Sequence, residues 1–382
     1  MFSQYNISDR SRVTLHCQFN LLSPLSHIGD VTGNVSNLKT VKLLDLEGNP
    51  RQCFVYSGNA IRNGILRRVG VASSLSDLGL MVSPDVHHTM FAGGRIDGST
   101  GSDMELDTKI RTLMPWLSVL GTAKPAKVFG VKDAQMVQGR VNVGSGYLIC
   151  YESAEYIYNN CPGMLPSYAI APLQSILQAR HSDPFTVPSP NAIASQRQAI
   201  SEHLPVVRNY LKSWTEYITI DQTTRRDSTL DPTLHGFLEG APPAGQMSLL
   251  DGLASKSEGK KPKSDQMIAS DRLIMAGAQL YSRWDLNCTS VEEGWIYNTL
   301  LNFANYPYIG GKGNRGNGLV SLKIWYRSGN EFGLLFTSEQ STLTMSDRFQ
   351  EQHQRYTDYI NEYKDFLASA KESSDIKRLL DA

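Results

Sequence analysis

The sequence predicts an α+β fold, built on a ferredoxin-like βαββαβ core that carries two large insertions. Three observations predict it. A strongly alternating strand near the N-terminus leads, through a hairpin, into a helix that opens on a small-residue turn and carries arginines. A later strand, helix and strand follow in the same order, with a glycine-rich loop between the helix and its last strand. Two stretches, 73–139 and 228–266, break the pattern in between.

Residues 12–22, RVTLHCQFNLL, place Val13, Leu15, Cys17, Phe19 and Leu21 on one side and Thr14, His16, Gln18 and Asn20 on the other. That period of two marks a half-buried strand. SPLSHIGDVTGN reads as turn. VKLLDL and QCFVY form a strand pair around Gly48-Asn49, a good turn dipeptide. A helix over 59–72 packs through Ile61, Ile65 and Val69, with Arg62 and Arg67 off that face and Arg68 near the stripe, where it can snorkel. Residues 73–139 read as a partly helical insertion, with a helix capped by Ser102 and Glu105 and lined by Leu106, Ile110, Leu113, Leu117 and Leu120. GRVNVGSGYLICYE returns to strand, an irregular proline-containing stretch follows, and a helix spans 192–214. YITIDQTTRRD is a strand ending in Arg225 and Arg226. Residues 228–266 hold few large apolar residues and read as a long functional or disordered loop. RLIMAGAQLYSRWDLN resumes the sheet, Ser290 with Glu293 caps a helix, LVSLKIWYR is the last strand, and one amphipathic helix runs from Ser346 with Phe349, Tyr356, Ile360, Tyr363 and Leu367 as its apolar edge.

Composition narrows the function. The 382 residues suffice for a sizeable core, and 41% hydrophobic content is ordinary for a soluble chain. No run approaches the ~20 apolar residues that span a bilayer, and MFSQYNISDRSR lacks a signal core, so no membrane partner and a cytoplasmic location are expected. Cys17, Cys53, Cys150, Cys161 and Cys288 are scattered and odd in number, without zinc spacing, so neither metal nor cofactor is expected. Lys+Arg and Asp+Glu both number 37, which excludes a broad positive field and leaves local basic clusters.

Two such clusters form a pair. SGNAIRNGILRR (57–68) opens a helix on Ser57, Gly58 and Asn59 and carries Arg62, Arg67 and Arg68. GGKGNRGNG (310–318) puts five glycines, among them Gly310, Gly311 and Gly313, with Lys312 and Arg315 into one loop. Glycine permits close backbone approach, helix-start and loop amides attract anions, and Arg and Lys supply charge. The chain is therefore read as an RNA-backbone binder. The competing readings are a plain hairpin for the loop, surface ion pairs for Arg67 and Arg68, and structural roles for His27, His87 and His88. The loop is not a Walker A motif, because Gly313 follows Lys312.

Four segments resemble the RAMP superfamily of CRISPR-associated proteins: FNLLSPLSHIGD (19–30), VYSGNAIRNGILRR (55–68), IMAGAQLYSRWDL (274–286) and IGGKGNRGNGLV (309–320). The resemblance is to the Cas-seven-like backbone subunit, first in its type IV effector version and next in a type I version. It implies a modified RRM-like palm (1–72, 140–227 and 267–345), fingers (73–139), a thumb (228–266) and a C-terminal helix (346–382). It further implies polymerisation along a guide RNA, with His27, Ser57–Asn59, Arg62, Arg67, Arg68, Arg225, Arg226, Gly310–Gly313 and Arg315 at the RNA. His16 is an alternative to His27 for contact with a ribose or base. The implied partners are the guide RNA, a complementary target strand, further copies of the chain head to tail, and other effector subunits. RAMP subunits that cut target RNA carry an aspartate before the second strand, where this chain has Ser36 or Asn37. No catalytic residue and no cleavage are expected, with Asp30 in reserve. GxSxG, HExxH and a convincing Cys/His pair are absent from the sequence. The alternatives are a target-RNA-cleaving relative and an unrelated oligomeric structural protein.

Overall fold

The computed structural model describes residues 9–79, 81, 87, 90–91, 100–101, 111–124, 134–180, 190–225, 267–339 and 342–369. The alternating segment forms β1 (Ser11–Leu21), whose Val13, Leu15, Cys17, Phe19 and Leu21 are buried as their period requires. The main sheet adds β4 (Thr40–Leu44), β5 (Pro50–Tyr56), β9 (Val141–Val143), β10 (Gly146–Leu148), β13 (Gln279–Cys288), β14 (Val320–Ser328), β15 (Glu331–Glu339) and β16 (Thr342–Met345). Its order is β16-β15-β14-β1-β13-β10-β5-β4, with β9 also on β13. The inner strands β14-β1-β13-β10 are antiparallel neighbours, with helices packed on the sheet. The fold is thus α+β, as the pattern predicted.

Two helical segments cross one face. The first is continuous: α1 (Gly58–Ile61), a π-helix (Arg62–Val71) and α2 (Ala72–Leu78). The second crossing helix is Ser290–Ala304. Gly70 lets them touch, since a Cβ there would fall 2.4 Å from Thr299 Oγ1. Ser74 Oγ accepts the Trp295 indole at 2.9 Å, and the C-terminal helix Asp347–Ser369 packs Phe349, Tyr356, Ile360 and Tyr363 into the same core. Each fully buried large side chain here contributes about 1.5–3 kcal/mol before the entropy of ordering it. Ala154–Asn160, Ser167–Arg180 and Pro190–Tyr210 build a second core on the opposite side, around Tyr281 of β13. In chain order these helices are α4, α5, α6, α7 (Ser290–Ala304) and α8 (Asp347–Ser369), with Pro115–Leu120 as α3.

Several expectations change. SPLSHIGDVTGN is not simply turn: Ile28–Thr32 (β2) and Val35–Leu38 (β3) pair around Gly33. The segment expected as one strand over 272–287 is two, β12 (Met267–Ile274) and β13, separated by a turn with Gly277 at φ 87°. β12 belongs to a second sheet, β11-β12-β3-β2, in which β11 is Ile218–Arg225. The single strand expected over 139–152 is likewise divided into β9 and β10, because the Gly144 amide donates to Arg283 O at 2.8 Å between them. The proline-containing stretch after Glu152 is helical over Ala154–Asn160 and Ser167–Arg180, residues 181–189 lie outside the described residues, and α5 and α6 each contain a proline. The α7 cap lies one residue earlier than read, at Thr289 with Glu292. The helix read through Leu120 is interrupted at Met114 (φ −136°), and Pro115 opens α3. All six residues of α3 are buried, so this part of the expected insertion sits in the core of the main sheet. Thr100–Gly101, Thr122–Lys124 and Ala134–Val137 (β6, β7 and β8) form a third small sheet. The cap expected at Ser102 and Glu105 and the loop 228–266 lie outside the described residues.

Candidate nucleic-acid interface

The two motifs, some 250 residues apart in sequence, meet at one end of the sheet. Gly310 N donates to Tyr56 Oη at 2.9 Å, linking the glycine loop to the residue before Ser57. Gly311 N donates to Ser26 O at 2.9 Å and Gly318 N to Pro24 O at 2.8 Å, so the loop rests on the β1–β2 connection. His27 stands between them. Its Nε2 accepts from Ser57 N at 3.2 Å, and its ring meets Tyr56 edge-on at 4.7 Å. Burial, and then the charge of Lys39, lower the His27 pKa to about 4, consistent with an imidazole that accepts at Nε2. His27 therefore positions the turn.

These bonds change the roles expected of the amides. Ser57 N and Gly58 N donate inside the protein, the latter to Ser145 Oγ at 3.2 Å, as do Gly310 N and Gly311 N. They are committed to holding the turn and loop, where the sequence suggested phosphate binding. Ser57 Oγ caps α1 by accepting from Ala60 N at 3.3 Å. Gly58 and Gly310 are required by close packing, since an added Cβ would lie 2.4 Å from Val143 O and from Ser26 O respectively. Asn59 and Gly313 are exposed.

The loop cations have a partner that the sequence reading missed. Lys312, held at φ 62°, pairs through Nζ with Asp271 of β12, and Arg315 Nη1 lies 3.5 Å from the same carboxylate. Burial alone would raise the Asp271 pKa, but hydrogen bonds from Lys312 and Ser36 and the charges of Lys312 and Arg315 outweigh it, and the carboxyl titrates below its ordinary value. One carboxylate thus faces two cations, so the loop keeps a positive surplus. Arg315 remains well exposed. Tyr306, 69% exposed, lies against Tyr308 immediately before the loop, with ring centroids 4.6 Å apart and planes tilted by 36°. The spaced tyrosines of NYPYIGG were the available signal for this aromatic surface.

The arginines are rearranged by the π-winding. In an α-helix, positions i and i+5 lie about 140° apart; at about 4.4 residues per turn they lie about 50° apart. Arg62 and Arg67 are therefore brought toward one side. Arg67 is buried at 4% exposure and Arg68 is exposed, the reverse of the α-helical expectation. Arg67 Nη1 donates to Met90 O at 2.9 Å, but the Nε atoms of both Arg62 and Arg67 are buried without a hydrogen-bond partner. Neither arginine forms an ion pair with a described residue. Burial, reinforced by the Arg62 charge, lowers the Arg67 pKa to about 10, and burial lowers that of Arg62 as well. Two mutually repelling, partly desolvated guanidiniums with no counter-ion among the described residues suit an anion with several acceptor oxygens.

Arg225 ends β11 at its pairing with Met267, and Arg226 lies outside the described residues. His16 lies on β1 within the sheet, and His87 sits beside Phe91. Among the described residues no group of His, Cys, Asp and Glu is arranged to hold a metal, and no helix is long and apolar enough to cross a membrane.

The fold and site define an α+β protein whose sheet end joins a glycine loop to a helix carrying two arginines that pair with no carboxylate among the described residues. No protein-family model and no curated protein matches the chain. Among solved structures, the chain is similar to a chain of a structure titled "Type IV-B CRISPR Complex", with 14% identity, 84% of this chain and 92% of that chain covered, and a TM-score of 0.44.

Proposed function

We propose that this sheet end grips the sugar-phosphate backbone of a guide RNA, and that the chain is a non-catalytic backbone subunit polymerising head to tail along it. The observation that carries the reading is the Arg62–Arg67 pair, half-buried and buried respectively, with no ion-pair carboxylate among the described residues and no hydrogen-bond partner for either Nε. A phosphodiester supplies both the charge and the acceptors. Arg315 and exposed Arg68 extend the positive surface, and Tyr306 with Tyr308 offers a stacking platform. Such contacts ignore base identity, as a guide with a variable segment demands. The RAMP-like segments support the choice of a guide RNA over other polyanions. In this reading the bases remain available to a target strand, and companion subunits complete the complex.

The subunit does not cleave in this reading. Asp30 sits exposed on β2, and Ser36 serves Asp271. The test is purification in mild buffer followed by extraction and sequencing of bound nucleic acid. RNA of uniform length with a constant flank is expected, whereas protein free of nucleic acid would overturn the reading. Target cutting that is lost in Asp30→Ala would replace it with the cleaving alternative.

A further inference from the structure

The opposite end of the main sheet carries a second concentration of arginine. The strand register aligns Asn142, Asp285, Thr14, Arg327 and Phe332 as one row across β9, β13, β1, β14 and β15. The neighbouring row holds Asn287 and Arg12, and the next holds Arg283, His16 and Trp325. Between them lies an open cleft of about 410 Å³, lined by Arg12, Arg140, Arg283 and Arg327, with Asp285 the only acid among the described residues that line it. Arg140 is bound to Glu292 at 2.8 Å and Arg283 to Asp285 at 2.9 Å. Arg12 and Arg327, both exposed, form no ion pair with a described residue. The cleft therefore holds two cations beyond its internal pairs.

The rest of this face points to the kind of anion. Arg327 lies over the Phe332 ring at 5.5 Å, and Lys323 over Trp325 at 5.2 Å, with Phe332 half exposed. A cation set over a half-exposed aromatic ring beside an open cleft suits an alternation of phosphates and bases. An acidic protein segment would use the guanidiniums but gain little from the rings. His16 registers the local field. Burial first, and then Arg327 and Arg283, lower its pKa to about 4 against the opposing effect of Asp285. The cleft opens at the start of β1, and the glycine loop packs at the end of that 11-residue strand, so about 30 Å separates them.

We propose that this cleft binds a second single-stranded polynucleotide, separate from the strand at the glycine loop. Arg12 and Arg327 contact its phosphates and Phe332 stacks on a base. The site does not depend on the first strand being a guide RNA.

The test uses the purified full chain, carrying whatever nucleic acid it retains, and a fluorescent 20-nucleotide oligo-dT read by anisotropy over a salt series. The double substitution Arg12→Ala/Arg327→Ala should weaken oligo-dT binding about 10–30-fold and reduce the salt slope by about 1.4, two phosphates at roughly 0.7 each. Phe332→Ala should weaken it roughly 5–10-fold and leave the salt slope unchanged. Arg62→Ala should leave it within about twofold. Melting curves of all three variants establish that they are folded. Oligo-dT binding that survives the double substitution in folded protein would overturn the proposal, as would binding that follows Arg62 instead. Displacement by polyglutamate at equal charge with no loss in Phe332→Ala would reassign the cleft to an acidic protein partner. Protein that purifies without RNA yet binds oligo-dT through Arg327 would contradict the guide-RNA reading and leave this one standing.

Discussion

Replacing Arg67 with methionine separates stability from binding. Lowering the Arg67 pKa from 12.5 to about 10 means that the buried charge destabilises the free protein by roughly 3 kcal/mol, at 1.36 kcal/mol per pKa unit. The sign is fixed by direction. Because the folded pKa is depressed, the protonated guanidinium is disfavoured on folding, and the penalty is constant at every pH well below about 10. Methionine has similar length and no charge, so Arg67→Met removes the penalty. It also abandons the 2.9 Å bond to Met90 O, leaving a buried carbonyl at a cost of about 1–3 kcal/mol. The net expectation for RNA-free protein is between no change and a gain of about 2 kcal/mol, in line with the tendency of apolar replacements for buried charges to be neutral or stabilising. RNA-linked stabilisation should shrink at the same time. The assay is urea unfolding of stripped and RNA-loaded protein, parent against variant. A stripped variant less stable than the parent by more than about 2 kcal/mol, with the RNA-linked increment intact, would show that Arg67 is a structural arginine and refute the reasoning.

Three further outcomes follow from the same geometry. Asp271→Asn removes the one carboxylate facing Lys312 and Arg315, so RNA retention should tighten roughly fivefold, about 1 kcal/mol at ~8 Å with screening, while stability falls by about 1–3 kcal/mol; filter binding and melting curves check both. Gly318→Ala would place a Cβ 1.8 Å from Ile309 O at φ 87° and should cost more than about 2 kcal/mol in denaturant unfolding, whereas Gly313→Ala meets nothing within 4 Å and should be nearly neutral. His16 and His27 both have pKa values lowered to about 4 from 6.5, so the unfolded chain takes up protons first as pH falls; stability should decline by about 2–4 kcal/mol between pH 6.5 and 4, and His16→Gln/His27→Gln should flatten that decline.

Much of this fold was legible because its signals are local. The period of two in β1, the turn at Gly48-Asn49 and the amphipathic C-terminal helix depend on neighbours within one element. The pairing of SGNAIRNGILRR with GGKGNRGNG was also readable, since both concentrate glycine and cations. The failures are those of long-range context. Gly277 looked like one more strand residue, yet its positive φ moves β12 into another sheet, where Asp271 meets the loop. α-Periodicity assigned Arg68 to the apolar edge, and the π-winding gave that place to Arg67. The glycines of both motifs were read as cradles for phosphate, but Gly58 and Gly310 are there because backbone from other elements lies 2.4 Å from where a Cβ would sit. Composition cannot show which amides are already used.

The central claim is that nucleic acid lies on the Arg62–Arg67 side of the glycine loop. Ultraviolet cross-linking of the RNA-loaded protein, with peptides identified by mass spectrometry, tests it most directly. Cross-links on peptides spanning Tyr56–Arg68 and Tyr306–Gly318, lost together in Arg62→Ala, are the predicted result. Cross-links confined to other peptides, unchanged in Arg62→Ala, would contradict the account.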